Sequence, residues 1–158
     1  MSVIDARRYE LGEYPHSSEA YYANVYFDRS KLIIPYVNLG FIEHPLNPRS
    51  DRAVFVDFAY LVCLGVKYLK VQAGVLLGRR EDAERIRHFG GSQMDGPPEL
   101  IDFEIGCDLA YVQLLPDSRL SESVWIAVDS PARNLDARSV TAFFRGERMP
   151  ESIRQLMG

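Results

Sequence analysis

Several features are scarce in this sequence, and each scarcity removes a class of explanation. The longest apolar run, Phe58–Val66, is too short to cross a bilayer as a helix. Met1–Arg8 lacks the apolar core of a secretory signal. Cytoplasmic residence without membrane contact is therefore expected. Basic residues are not in surplus: 18 Lys and Arg face 22 Asp and Glu, for a net charge of −4. Phosphate recognition needs clustered positive charge, so nucleic acid is not the expected partner.

Cysteine is nearly absent. Cys63 and Cys107 are the only two, and they form no CxxC pair. Both sit in apolar alternation and are expected to be reduced core residues. A bridge between them would require the fold to bring their segments together. Histidine is as sparse. His16, His44 and His88 are far apart, with no His-x-His spacing to place two imidazoles on one face. His44, next to Glu43, is the one weak metal candidate, and adjacent strand residues point to opposite faces. No metal or other cofactor is expected. Gly-x-Ser-x-Gly, a phosphate-binding Gly-Lys-Ser/Thr loop and the dinucleotide glycine pattern are all missing.

What the chain does contain is two-residue alternation. In Leu100–Cys107, the apolar Ile101, Phe103, Ile105 and Cys107 alternate with Asp102, Glu104 and Gly106, the pattern of a strand with one dry face. Ala20–Phe27, Leu32–Ile42, Ala53–Cys63, Val66–Leu77, Ala110–Leu115, Ser123–Val128 and Ser139–Arg145 read as further strands, parted by Pro, Gly, Asp and Ser. Asp28-Arg29-Ser30 would close a hairpin. Pro35, which has no ladder donor, assigns Leu32–Ile42 to a sheet edge or a bulge.

Residues 1–19 read as a loose N-terminal arm. Residues 78–99 read as a long loop or short-helix insertion, with a helix from Arg79 to Phe89 that Gly90-Gly91 would end. In it, Arg79, Arg80, Arg85 and Arg87 alternate with Glu81, Asp82 and Glu84, as on a solvated, salt-bridged face. Pro150–Met157 closes the chain as a short helix, with Met149, Ile153, Leu156 and Met157 on one side.

The expectation is a single domain over residues 1–158. It is mainly β: an antiparallel β-sandwich or partly closed barrel of roughly seven to nine strands with a short C-terminal helix. The alternative is an α+β fold with one helix on an antiparallel sheet.

Three groups of residues are site candidates. Asp57 interrupts Val54–Tyr60, so it must face water, be hydrogen-bonded or carry a raised pKa. Asp102 and Glu104 share one strand face roughly 7 Å apart, a spacing a glycosidase-like pair would tolerate. Tyr22, Asn24 and Tyr26 alternate on what reads as an outer face beside Tyr36, and tyrosine gives recognition surfaces area at low entropic cost.

With no catalytic constellation, the leading expectation is a non-catalytic intracellular protein-binding module, such as an accessory, adaptor or immunity-like inhibitor. A protein partner or a homodimer paired through the Leu32–Ile42 edge follows from that reading. A small-molecule-binding sandwich or barrel and a metal- or carboxylate-dependent enzyme are the alternatives.

Overall fold

The computed structural model describes residues 8–10, 20–41, 54–72, 74–94, 100–122 and 135–158. In chain order the strands are β1 (Arg8–Glu10), β2 (Tyr21–Tyr22), β3 (Tyr26–Asp28), β4 (Lys31–Phe41), β5 (Val54–Leu64), β6 (Tyr68–Val71), β7 (Gly74–Leu77), β8 (Ile86–Gln93), β9 (Leu100–Gly106), β10 (Leu109–Leu114) and β11 (Leu120–Ser121). Two helices follow, α1 (Ala137–Phe144) and α2 (Glu151–Met157).

All eleven strands belong to one sheet, in the order β1-β10-β5-β4-β2-β8-β9-β6-β7, with β11 added on β5 and β3 on β4. Every pairing is antiparallel except β2 with β8. The path ends at β1 and β7, so the sheet is open. The mainly β, antiparallel fold expected from the alternation is the one observed, with more and shorter strands and a pair of helices at the C-terminus.

The sheet folds over on itself. Leu32, Ile34 and Tyr36 of β4 and Leu61 and Cys63 of β5 share one buried cluster with Leu69, Phe89, Phe103 and Ile105 from the β8-β9-β6 half. The opposite face of β4 and β5 supplies Ile33, Val37, Phe58, Tyr60 and Val62 to a second cluster, completed by Val140, Phe143, Phe144 and Ile153 from the helices. Two sheet halves and a helical layer thus enclose two apolar interiors.

Residues 139–145, read as a strand, are helical. Val140, Phe143 and Phe144 fall three and four residues apart and bury one stripe on the sheet. Asp136 starts the helix, its side chain accepting from Arg138 N. Burial of that stripe outweighs the weak helix propensity of Val, Thr and Phe.

Residues 78–99 also depart from expectation. A short 3₁₀ turn at Arg80–Asp82 leads into strand β8, in place of a loop or an α-helix. Gly90 and Gly91 lie inside this strand and do not end a helix. At Gly91, φ is +145°, and an added Cβ would lie 3.1 Å from a Tyr36 ring carbon and 3.2 Å from Ala20 O. Glycine is needed there so that the rings of Tyr36 and Tyr22 can close on the backbone. Of the 78–99 segment, residues 95–99 lie outside the described residues, as do most of the 1–19 arm and the strand expected at Ser123–Val128.

β4 is central, not an edge. It pairs with β5 on one side and with β2 and β3 on the other. Pro35 is accommodated because β3 pairs with residues 31–33 and β2 with 36–37, leaving Pro35 opposite the break between them. The homodimer edge expected at Leu32–Ile42 is therefore covered.

The Tyr60 hydroxyl has no hydrogen-bond partner among the described residues, and burial pushes its pKa up to about 12. Tyr60→Phe removes that orphan with little change in volume. It should leave stability unchanged or raise it by about 1 kcal/mol in urea denaturation.

Candidate functional site

Asp57 sits where the sheet changes phase. Along β5, Val54 and Val56 face the inter-sheet cluster, and so do Ala59, Leu61 and Cys63, so the alternation slips by one residue at 57–58. β4 slips opposite, at Asn38, whose φ is +65°. The ladder opens between these two residues, and backbone donors are freed. The Asp57 carboxylate takes them up. Its Oδ1 accepts from Phe58 N at 2.7 Å and Arg119 N at 2.9 Å, and its Oδ2 from Arg119 Nε at 3.2 Å. Ser118 Oγ completes the clamp by donating to Phe58 O and accepting from Leu115 N. Burial raises the Asp57 pKa, and the Arg119 and Phe58 hydrogen bonds and Arg119 charge offset that only in part. Among the described residues, every contact of this carboxylate is with the fold itself. It fastens the 115–119 turn to β5.

Asp102 and Glu104 share one face of β9, as their spacing requires. Glu104 lies in register between Lys70 and His88 and accepts from Tyr68 Oη at 3.2 Å. Asp102 is exposed and lies opposite Gly90. Cross-strand neighbours of this kind stabilise an open sheet face. His44 lies outside the described residues. Among the described residues, no group of three His, Cys, Asp or Glu side chains is placed to hold a metal.

The outward tyrosine face does not form. Tyr22 and Tyr36 are both core residues. Their rings lie 6.3 Å apart edge to face, Tyr22 also packs on Phe103 at 5.2 Å, and Tyr36 Oη donates to Gly90 O at 2.7 Å. The alternation fails because Asn24 is left-handed, with φ +54°, and splits the expected strand into β2 and β3. Asn24 and Tyr26 point instead toward the helices. Asn24 Nδ2 donates to Phe144 O at 2.6 Å, at the end of α1, and Tyr26 Oη donates to Met157 O at 3.3 Å, at the end of α2. Lys31 Nζ reaches Leu156 O at 3.2 Å. These residues latch the hairpin to the helices.

Two other features stand out. The first is β7, the last strand on the path. Val75 and Leu76 are 57% and 61% exposed, in a molecule that buries most of its large apolar side chains. No described strand pairs with its outer side. Of the usual guards against edge pairing, Gly74–Leu77 has neither charge nor proline and only a bulge, a register shift at Leu69/Lys70. The charge around this edge is mixed: Lys70, in register with Val75, also lies in register with Glu104, and Arg79, just beyond the strand, pairs with Asp82 at 3.4 Å.

The second is a cavity of about 260 Å³ lined by Lys67, Ala83, Glu84, Arg85, Arg87, Gly106, Cys107 and Asp108. Cys107 is partly exposed here. Cys63 is fully buried behind it, and the two thiols hydrogen-bond to each other. The bond from Cys63 lowers the Cys107 pKa, and the Arg87 guanidinium lowers it further through its charge and a hydrogen bond, against the opposing effect of burial. Cys63 is pushed well up by the same thiol–thiol bond and by burial.

Sequence reasoning missed both features. The signal for β7 was Gly74 inside what read as one strand, close to Gln72, which is left-handed at φ +55°. The cysteine pair carried no local signal, because Cys63 and Cys107 are brought together by the β5–β10 pairing.

Among the described residues no helix is long and apolar enough to cross a membrane. The chain matches no protein-family model, no curated protein and no solved structure to which it was compared.

Proposed function

We propose that this protein is a binding module that captures an extended segment of a partner protein by adding it as a strand beside β7. The observation that carries this reading is the exposed, uncharged Gly74–Leu77 edge, with Val75 and Leu76 each more than half exposed. Free backbone groups along such an edge pair with an incoming strand, and its side chains supply selectivity.

The occupant is a segment of a partner protein with apolar side chains, to cover the exposed Val75 and Leu76. A second copy of this chain fits less well. Four edge residues per side fall far short of the roughly 800 Å² per partner that a stable dimer buries.

The double substitution Val75→Lys with Leu76→Lys tests this reading. Both side chains are exposed, so stability should stay within about 0.5 kcal/mol of the parent. Immobilised parent protein and a Tyr21→Ala control should retain the same protein from an extract of the native cells, and the double variant should retain at least about tenfold less. Equal retention by the double variant, or nothing retained by the parent, would overturn the proposal.

A further inference from the structure

The cysteine pair supports an inference independent of the β7 edge. We propose that Cys107 and Cys63 form a redox-responsive dithiol, which a hydroperoxide entering the cavity beside Arg87 converts to an internal disulfide.

Three geometric facts carry this. Cys107 lines the cavity and is reachable from solvent, whereas Cys63 is buried behind it. Cys107 packs against the apolar cluster that contains Cys63, and Asp108 N, next to Cys107, donates to Leu64 O, next to Cys63, at 3.0 Å, so the fold holds the two cysteines beside each other. The cavity wall contributes Lys67, Arg85 and Arg87, against Glu84 and Asp108, and Lys67 pairs with Asp108 at 3.1 Å. Arg87 and Cys107 line the same cavity. A thiolate is the nucleophilic form of cysteine, and a guanidinium beside it both favours that form and stabilises negative charge on a departing oxygen.

The chemistry balances in two steps. The Cys107 thiolate attacks the terminal oxygen of the hydroperoxide. An S–O bond forms, the O–O bond breaks, and the departing oxygen takes up a proton to leave as an alcohol, or as water if the oxidant is hydrogen peroxide. Cys107 is now a sulfenic acid. The Cys63 sulfur then gives up its proton and attacks the Cys107 sulfur. The S–S bond forms, the S–O bond breaks and water leaves. Two thiols are oxidised by two electrons and one hydroperoxide is reduced. Cys107 is the attacking thiol because it alone faces the cavity, and Cys63 is the resolving one because burial shields it from the oxidant.

The test treats the full, reduced chain with a small excess of hydrogen peroxide, blocks remaining thiols by alkylation, and maps the products by mass spectrometry. The expected result is a chain lighter by two hydrogens, with one Cys63–Cys107 bridge, formed at least about tenfold faster than oxidation of a free thiol of ordinary acidity. Cys63→Ser should remove the resolving thiol, so Cys107 should accumulate oxygen and pass to sulfinic acid. Arg87→Gln should slow the first step in protein that retains the parental unfolding curve. Oxidation no faster than a free thiol, or a parent chain in which Cys107 gains oxygen without bridging, would overturn the proposal. Both of those readouts come from the unmodified protein, so they hold even if a variant fails to fold.

Discussion

Replacing Phe143 with alanine should cost about 4 kcal/mol, the largest loss expected from any single truncation in the helical layer. The ring is fully buried and lies 4.9 Å from Phe58, 5.0 Å from Tyr60 and 5.2 Å from Phe144, centroid to centroid. It is the contact through which α1 meets the outer face of β5. Removal forfeits both the transfer energy of the ring and the packing of three aromatic neighbours. One effect opposes this. The vacated space borders the Tyr60 hydroxyl, which has no partner among the described residues, and a water entering there would satisfy it. That places the loss toward the middle of the usual range and not at its top. Urea denaturation measures it. A loss under about 1.5 kcal/mol would mean that α1 does not dock on β5 as described.

Asp57→Ala should destabilise the protein by about 3 kcal/mol, while Asp57→Asn should cost about 1 kcal/mol or less. Alanine leaves Phe58 N and Arg119 N without their acceptor in a buried setting. Asparagine retains an acceptor oxygen in the same place and carries no charge that must be desolvated. The pH dependence separates the two roles. Because burial raises the folded pKa of Asp57, the folded state holds its proton more tightly than the unfolded state. The associated stability is present below the ordinary carboxylate value of 3.8 and is lost as pH rises from there through the raised folded value. Subtracting the Asp57→Asn pH profile from the parental one should show that decline in this window. A difference that rises with pH there would mean that the carboxylate is held mainly by favourable pairing with Arg119.

Much of the fold is legible where alternation is uninterrupted. β5, β9 and β10 lie close to where their sequences place them, and the turn at Asp28-Arg29-Ser30 and the C-terminal helix are where local signals put them. The failures cluster at residues whose backbone breaks the period of two. Asn24 and Asn38, both left-handed, reverse which neighbours face inward, so Tyr22 enters the core although simple alternation turns it out. Asp57 was conspicuous in the sequence as a charge inside an apolar run. Its role as a plug for a ladder gap becomes visible only when Arg119 arrives from a distant segment. α1 was misread because Val140, Thr141, Phe143 and Phe144 favour strands locally, and only the sheet surface below them selects the helical spacing. Gly90 and Gly91 were misread for the opposite reason. Both lie inside β8, and the small size of Gly91 serves the two tyrosine rings packed on it, not the end of a helix.

The candidate site was less legible than the fold. An edge strand is defined by what does not pair with it, and that depends on the order of the whole sheet. Tyrosine composition pointed to β2, β3 and the facing part of β4, but the hydroxyls of Tyr36 and Tyr26 are spent on Gly90, Met157 and Asp28. The proposed binding edge is instead the strand with the least distinctive composition, Gly74-Val75-Leu76-Leu77.

Site-specific photocrosslinking tests that assignment most directly. A photoreactive amino acid replaces Leu76 in one preparation and Thr141, exposed on α1, in another, and both are irradiated in an extract of the native cells. The account predicts one discrete heterologous adduct from position 76 that position 141 does not give. No adduct at position 76, an adduct of twice the chain mass, or the same adducts from both positions would contradict it.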